Sequence, residues 1–480
     1  DLPVHAGVAQ ARSNQQAFMK TKCYGKLLYC GCWLASVLAI ETTQAAESSS
    51  QSSDSAFMRF ATRDYLFGDW AGKRTWLKDN GVDFEFLYLG LVADNFSGGI
   101  DQGAVYEGVL MMVLDLYSDK LLGYEGGQFH AGSLWLHNGD AFSRNKVGDL
   151  NMVSLLDFPD SFRLWELYYE QKMFDGKLSI KGGQLAIDRD FIVPEYYNSI
   201  ASINFLNQTF FYPTMAFNVY DIPGFPVGHH ALAATPYGAP GARIRTDPID
   251  ELYLQAGIYD GNPDRTRSGT RVNLNEAEGA LAYFEVGYRL NPRKEDGGVP
   301  GNLKLGAYYH TDDFFDNFSV FESALTAQPP ETHSGNYGVY FLADQILFYE
   351  VGRDDAAQQG LAGFFRVAWA PEDRNLASLG IDGGLVYKGL IPSRDYDTFG
   401  IAASYLEISD DISRGQRLIN SVLPGTFSVA DYEGVLEVSY RAQLTAWWTL
   451  QPDFQWVMHP GGSQQHEDAF VFMVMTTLRF

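Results

Sequence analysis

The feature that most restricts this chain is an alternation of period two that begins near residue 83 and runs to its last residue. Successive side chains of a β-strand point to opposite faces, so a sustained apolar/polar alternation selects strands over helices. In GALAYFEVGYRLN, Ala282, Phe284, Val286, Tyr288 and Leu290 share one face, and Tyr283, Glu285, Gly287, Arg289 and Asn291 share the other. NLKLGAYYHTD sets Leu303, Leu305, Ala307 and Tyr309 against Asn302, Lys304, Gly306, Tyr308 and His310. RLWELYYEQK sets Trp165, Leu167 and Tyr169 against Glu166, Tyr168, Glu170 and Lys172. YEGVLEVSYRAQ sets Leu436, Val438 and Tyr440 against Glu437, Ser439 and Arg441. One such segment fits a soluble sandwich as well as a membrane wall.

The number of segments is more restrictive. About sixteen of them, each about ten residues long, begin near Asp83, Tyr106, Gln128, Phe162, Leu178, Gly241, Glu251, Gly279, Asn302, Asn336, Leu361, Gly380, Thr398, Tyr432, Thr449 and Ala469, an even count of the kind a bacterial outer-membrane barrel requires. The connections alternate too. FDGK, DPID and TAWW are short, whereas Asp188–Pro240, Asp260–Glu278, Asp312–Gly335 and Glu407–Asp431 are long. Short turns at the periplasmic end and long loops outside are the pattern of an up-and-down barrel, and loop length did not enter the strand count.

The last segment, AFVFMVMTTLRF, tests the parity. Phe470, Phe472, Val474, Thr476, Leu478 and Phe480 form one face, and Arg479 falls on the other. A lipid-facing arginine near the midplane costs about 2–4 kcal/mol, so the even positions are assigned to lipid and Arg479 to the interior. Phe480 also resembles the C-terminal aromatic assembly signal of outer-membrane barrels.

Composition narrows the class further. A formal net charge of −24 argues against a nucleic-acid partner. The three cysteines, Cys23, Cys30 and Cys32, all precede the alternating region, so no disulfide or thiolate metal site is expected there. Met19 is followed by Lys20, Lys22 and Lys26, then by the apolar run LLYCGCWLASVLAI and by TTQAAESSS. This is the layout of a secretory signal, with cleavage expected near Ala45 and residues 1–18 as an upstream extension. Beyond it there is no apolar run of the roughly 18 residues that a spanning helix needs. The expected organisation is an extension plus signal peptide over 1–45, a flexible leader over 46–64, and a transmembrane β-barrel over 65–480. GDWAGKRTWLKDNG, at the start of the barrel region, reads as a short periplasmic helix ending at Gly81.

Motifs for chemistry are weak. GDWAGKRT has one residue too few between Gly68 and Gly72 for a phosphate loop, and Arg74 stands where Ser or Thr should meet Mg²⁺. His229-His230 has no helix-spaced partner for a metal. DGNPD lacks the distal Glu of a calcium loop. No G-x-S-x-G or H-E-x-x-H occurs, so no catalytic residue, metal or cofactor is expected. The stretch PEYYNSIASINFLNQTFFYPTMAFNVYDIPGFPVGHH is too aromatic and too sparsely charged for a disordered loop. It either folds into the barrel mouth or packs on the outer rim or a neighbouring subunit.

Several segments, in order, carry a family resemblance: LFGDWAGKRTWLKDNGVDFEF, APGARIR, EGALAYFEVGYRLN, GNYGVYFLADQ, GLAGFFRVAWAP, DGGLVYKGLIPSRDYDTFGIAASY and SYRAQLTAWWTLQPDFQWVMHPGG. From Leu66 to the end the chain resembles the carbohydrate-selective porin family (OprB). The resemblance implies a 16-stranded outer-membrane barrel that passes monosaccharides by diffusion, with neutral sugars as its ligands. It brings no catalytic signature.

Parity supplies the candidate pore lining. Arg243 and Arg245 share a face in GARIRTD, with Asp247 continuing it, and Tyr253, Gln255, Glu285 and Arg289 extend the patch over the next two strands. Glu166, Glu170, Glu437 and Arg441 also point inward, and Arg366 is a more distant candidate across the lumen. Two other functions fit the same barrel: a general or ion-selective porin, and, less well, an outer-membrane enzyme. Outer-membrane lipid, lipopolysaccharide and the barrel-assembly machinery are the expected partners. The fold also accommodates a homo-oligomer.

Overall fold

A computed structural model describes residues 56–139, 142–196, 203–211, 234–263, 268–270, 279–293, 296–350 and 358–480. Cys23, Cys30, Cys32, the expected cleavage site and His229-His230 lie outside them. Sixteen strands alternate along the chain: β1 Val82–Ser97, β2 Gly103–Tyr117, β3 Gly127–His137, β4 Ser161–Met173, β5 Leu178–Leu185, β6 Ala239–Ile249, β7 Leu252–Asp260, β8 Ala280–Leu290, β9 Gly301–Phe315, β10 Thr332–Tyr349, β11 Gly360–Trp369, β12 Ala377–Lys388, β13 Thr398–Ile408, β14 Tyr432–Thr445, β15 Trp448–Met458 and β16 Ala469–Arg479. Each pairs antiparallel with its sequence neighbours, and β1 pairs with β16, so the sheet is a closed barrel without edges. No described helix is long and apolar enough to cross a membrane.

Parity sorts the wall as the alternation requires. Phe284, Tyr288, Leu303, Leu305 and Tyr309 are exposed on the outside, Leu305 by 60%, whereas Glu285, Asn302, Lys304 and His310 are buried inside. On β4 the expected face assignment fails at one residue. The β3–β4 register slips between Gly132↔Glu166 and Ser133↔Leu164, which makes Trp165 an extra residue in a β-bulge. Trp165, expected beside Leu167 and Tyr169 on the outer face, is instead buried inside next to Glu166, and Arg163 is buried while Phe162 is exposed.

The inner wall is not uniformly polar. Leu87, Leu89, Leu91, Val109, Met111, Leu134, Leu136, Val471, Met473 and Met475 face inward on β1–β3 and β16. They pack against Phe142, Leu156, Phe158, Ile203 and Leu206 from the connections after β3 and β5. Full burial of such a side chain contributes about 1.5–3 kcal/mol, so this core holds folded connections inside the barrel.

One end of the barrel carries the short turns. There an N-terminal arm docks on the seam between the first and last strands. Within the stretch read as flexible leader, Ala56–Ala61 is helical, and a second helix spans Lys73–Asp79. Gly81 stops the latter with a φ of 87°, a conformation that disfavours a side chain. Arg74 donates to the main-chain oxygens of Phe480 and Phe84, and its guanidinium lies 3.4 Å from the centre of the Tyr65 ring. Trp70 stacks on Phe84, and Phe67 packs on Phe480. Arg74, which stood at the false phosphate loop, therefore ties β1 to the end of β16. The long connections gather at the other end, where the helices Asn317–Thr326 and Asp410–Val422 pack together and Phe321 of the first also meets Phe427, beyond the second.

Candidate functional site

The described parts of the connection between β5 and β6 lie inside the barrel, and of the aromatic stretch residues 194–196 and 203–211 take the interior position. Carboxylates on the wall hold it there by accepting hydrogen bonds from its main chain. Glu285 accepts from Ile192 N at 3.0 Å, and Asp344 accepts from Glu195 N at 2.7 Å and Tyr196 N at 2.8 Å. Glu437 accepts from Leu206 N and, at 3.0 Å, Asn207 N. Lys304 donates to Val193 O at 2.6 Å and pairs with Glu195 at 2.9 Å. The connection between β3 and β4 is held likewise, by Glu433 accepting from Leu150 N and Asn151 N and by Glu107 accepting from Ser154 Oγ. Burial pushes the Asp149 carboxyl of that connection up to about 7, with Asp157 adding to the effect.

These tethers decide which expected site residues meet water. Arg243, 5% exposed, donates to Ser179, Glu170 and Asp190, and Lys181 reaches Asp190 at 2.8 Å. Burial alone drives the Asp190 carboxyl upward, yet Lys181 and Arg243 together hold it below the ordinary carboxylate range. Glu285 is fully buried and also accepts from Tyr253 Oη, Gln255 Nε2 and Tyr340 Oη, each at 2.8 Å. Arg366, 2% exposed, pairs with Asp382 at 2.9 Å and donates to Thr209 O in the inserted connection. Glu166, Glu170, Tyr253 and Glu437 are buried as well. All of these face inward, but the inserted segments and neighbouring wall groups cover them.

Arg245, Arg289 and Arg441 keep partial access to the lumen. Asp247 bridges the first two, at 3.0 Å from Arg245 and in contact with Arg289, and Arg245 lies 4.1 Å from the centre of the Tyr253 ring. The patch expected on β6–β8 is therefore two hydrogen-bonded sets joined by the Arg245–Tyr253 contact, a buried one around Arg243 and Glu285 and a partly exposed one of Arg245, Asp247 and Arg289.

A polar cavity of about 540 Å³ opens in the half of the barrel that carries the short turns. Arg189, Arg441 and Arg479 line it together with Glu85 and Asp115. Arg479 pairs with Glu85 at 2.9 Å, as its inward parity allows. Aromatic rings complete the wall. His130 stacks on Tyr168 with centroids 4.6 Å apart and bonds Asp115 at 2.7 Å, while Lys181 covers Tyr168 and Arg189 covers Trp165. Guanidinium and carboxylate groups exchange hydrogen bonds with hydroxyls, and the ring faces accept C–H surface, so the lining suits a small polyol. Among the described residues, no group of three His, Cys, Asp or Glu side chains is placed to hold a metal.

Sequence reasoning missed several of these residues. Glu85 was readable from the same parity that places Arg479. Trp165 was not, because a bulge breaks the period, and Arg189 belongs to a connection rather than a strand.

The carbohydrate-selective porin (OprB) family model matches residues 101–480. Porin B of Pseudomonas aeruginosa is 26% identical over 85% of this chain and 89% of its own length. The putative porin QuiX of Acinetobacter baylyi is 22% identical over 87% of this chain and 93% of its own. The high-pH structure of Pseudomonas putida OprB superposes with a TM-score of 0.75 at 24% identity, covering 88% of this chain and 99% of that one.

Proposed function

Because this chain belongs to the carbohydrate-selective porin family, an outer-membrane channel fold, we propose that it lets monosaccharides diffuse passively into the periplasm. The observation that carries the reading is the cavity that brings cations and aromatic faces together, Arg189 over Trp165 on its wall, with Lys181 behind Tyr168 and Arg245 over Tyr253 beyond it. A pyranose has the same two kinds of surface, hydroxyl edges and C–H faces. Arg245, Arg289 and Arg441 are its direct contacts in this proposal. The buried members of the expected set, Arg243, Glu285, Arg366, Glu437, Glu166, Glu170 and Tyr253, shape the passage by holding the inserted connections in place. Diffusion down a gradient needs no cofactor. The outer wall meets lipid and lipopolysaccharide in the same reading, and the strand ending in Phe480 is presented to the barrel-assembly machinery.

Liposome swelling with the purified protein tests the proposal. Swelling rates are expected to fall steeply from pentoses and hexoses to disaccharides and trisaccharides. Equal rates for glucose and a trisaccharide, or none for glucose, reject it.

A further inference from the structure

Most inward-facing cations elsewhere on the wall are neutralised. Lys181, Arg243, Arg245, Arg289, Lys304 and Arg366 each have a carboxylate oxygen at 3.0 Å or less. Among the inward cations without such a partner, two are neighbours. Lys388 on β12 and Arg441 on β14 both pair in register with Thr398 on β13. Their backbones are therefore two strand spacings apart, about 10 Å, a gap that two long side chains on one face can bracket. Among the described residues neither makes an ion pair with a carboxylate. Lys388 rests against the Tyr396 ring, 5.6 Å from its centre. Arg441 lines the polar cavity beside Gln443 and Thr449, neither of which carries charge. Asp397, the acid whose field reaches Arg441, is already engaged by Arg394 at 2.7 Å, the Tyr440 hydroxyl and Gln443 N at 2.9 Å. In a chain of net charge −24, two adjacent inward cations without a counter-charge are not explained by a general excess of base.

We infer that Lys388 and Arg441 form a binding site for the anionic group of an acidic sugar, a carboxylate or a phosphate on a monosaccharide. This rests on the sugar pathway proposed above and specifies its substrate class. The guanidinium offers a fork that matches either oxyanion, and the lysine adds a second charge from two strands away. The sugar ring then projects into the cavity toward His130 and Tyr168.

Half-blocking concentrations of potassium chloride conductance in planar bilayers test it, with glucose, glucuronate and glucose 6-phosphate as probes. For the wild-type protein the anionic sugars are expected to block at about a tenfold lower concentration than glucose, the size of one charge-assisted interaction. The double variant Lys388→Gln with Arg441→Gln is expected to bring that ratio near one, while Arg441→Lys keeps most of it. Heat-modifiable migration confirms that each variant is folded. Tighter block by the phosphate than by the uronate assigns the site to phosphate, and the reverse assigns it to carboxylate. A wild-type ratio near one, or one that survives in the folded double variant, overturns the inference. A channel that no sugar blocks overturns the sugar pathway beneath it.

Discussion

Removal of Glu285 isolates what the wall carboxylates do. Oε1 accepts from Tyr253 Oη and Gln255 Nε2, and Oε2 accepts from Ile192 N and Tyr340 Oη, with no solvent access. In Glu285→Ala, four donors lose one acceptor at once. The two hydroxyls can rotate toward other groups, and Gln255 Nε2 keeps its bond to Asp190 O. The Ile192 N–H cannot reorient, so it is the group that pays. Each orphaned buried donor costs about 1–3 kcal/mol, and each lost hydrogen bond to a charged group about 1.5–3 kcal/mol, so the combined loss is about 4 kcal/mol. Asp344 and Lys304 still hold the next residues, so the cost falls on opening of the segment around 187–193 rather than on the barrel. About 4 kcal/mol, at 1.4 kcal/mol per factor of ten, raises local amide exchange by about two to three orders of magnitude. Glu285→Gln is milder, because its carbonyl can stay on Ile192 N and its amide can face the rotatable Tyr253 hydroxyl. Hydrogen exchange read by mass spectrometry over 187–196, with swelling rates for glucose and a disaccharide, measures both consequences. Glu285→Ala should speed exchange there and narrow the ratio between the two sugars. Wild-type exchange in a folded Glu285→Ala protein would falsify the tether argument.

Other consequences are open to measurement. Arg74→Ala removes two hydrogen bonds to the β1–β16 seam and a ring contact, a loss of about 2–4 kcal/mol; the temperature at which the folded band disappears in electrophoresis should drop, and an unchanged temperature contradicts the seam role. The Asp190 carboxyl is held below its unfolded value by Lys181 and Arg243, so its stabilising contribution is complete above about pH 5 and is lost as pH falls through the depressed folded value. The unfolding midpoint in detergent should therefore show no decline from this group between pH 8 and about 5, then a decline that Asp190→Asn reduces; equal acid sensitivity in the two proteins refutes it. Tyr168→Leu removes a ring stacked on His130 and covered by Lys181; glucose should block about fivefold less tightly, as expected for an aromatic contact near 1 kcal/mol, and unchanged block places the sugar elsewhere.

The barrel was legible because its wall faces lipid on one side, and that leaves a period-two record on nearly every strand. All sixteen expected segments coincide with strands to within a few residues, and Arg479 points inward as its parity requires. The record fails where its physical cause is absent. On β1, Leu87, Leu89 and Leu91 face a core inside the barrel, so both faces of that strand are apolar and alternation says nothing about the interior. At Trp165 a bulge shifts the period by one residue. The larger gap concerns burial. Period two places Glu285, Glu437 and Arg366 on the inner face but cannot distinguish an inner face in water from one covered by a connection. That distinction depends on contacts over long sequence separations, such as Glu437 with Leu206 and Asn207. The aromatic, sparsely charged composition of the connection hinted at the outcome without fixing it.

The tethers between wall and inserted connections mostly grip peptide N–H groups rather than side chains: Glu285 on Ile192, Asp344 on Glu195 and Tyr196, Glu437 on Leu206 and Asn207. An acceptor aimed at a peptide group is indifferent to the residue that carries it, proline excepted. The scaffold thus separates attachment from composition. The side chains an inserted segment shows to a passing solute can change while its moorings stay the same, so one barrel can be refitted for a different solute by rewriting a connection and leaving the wall untouched.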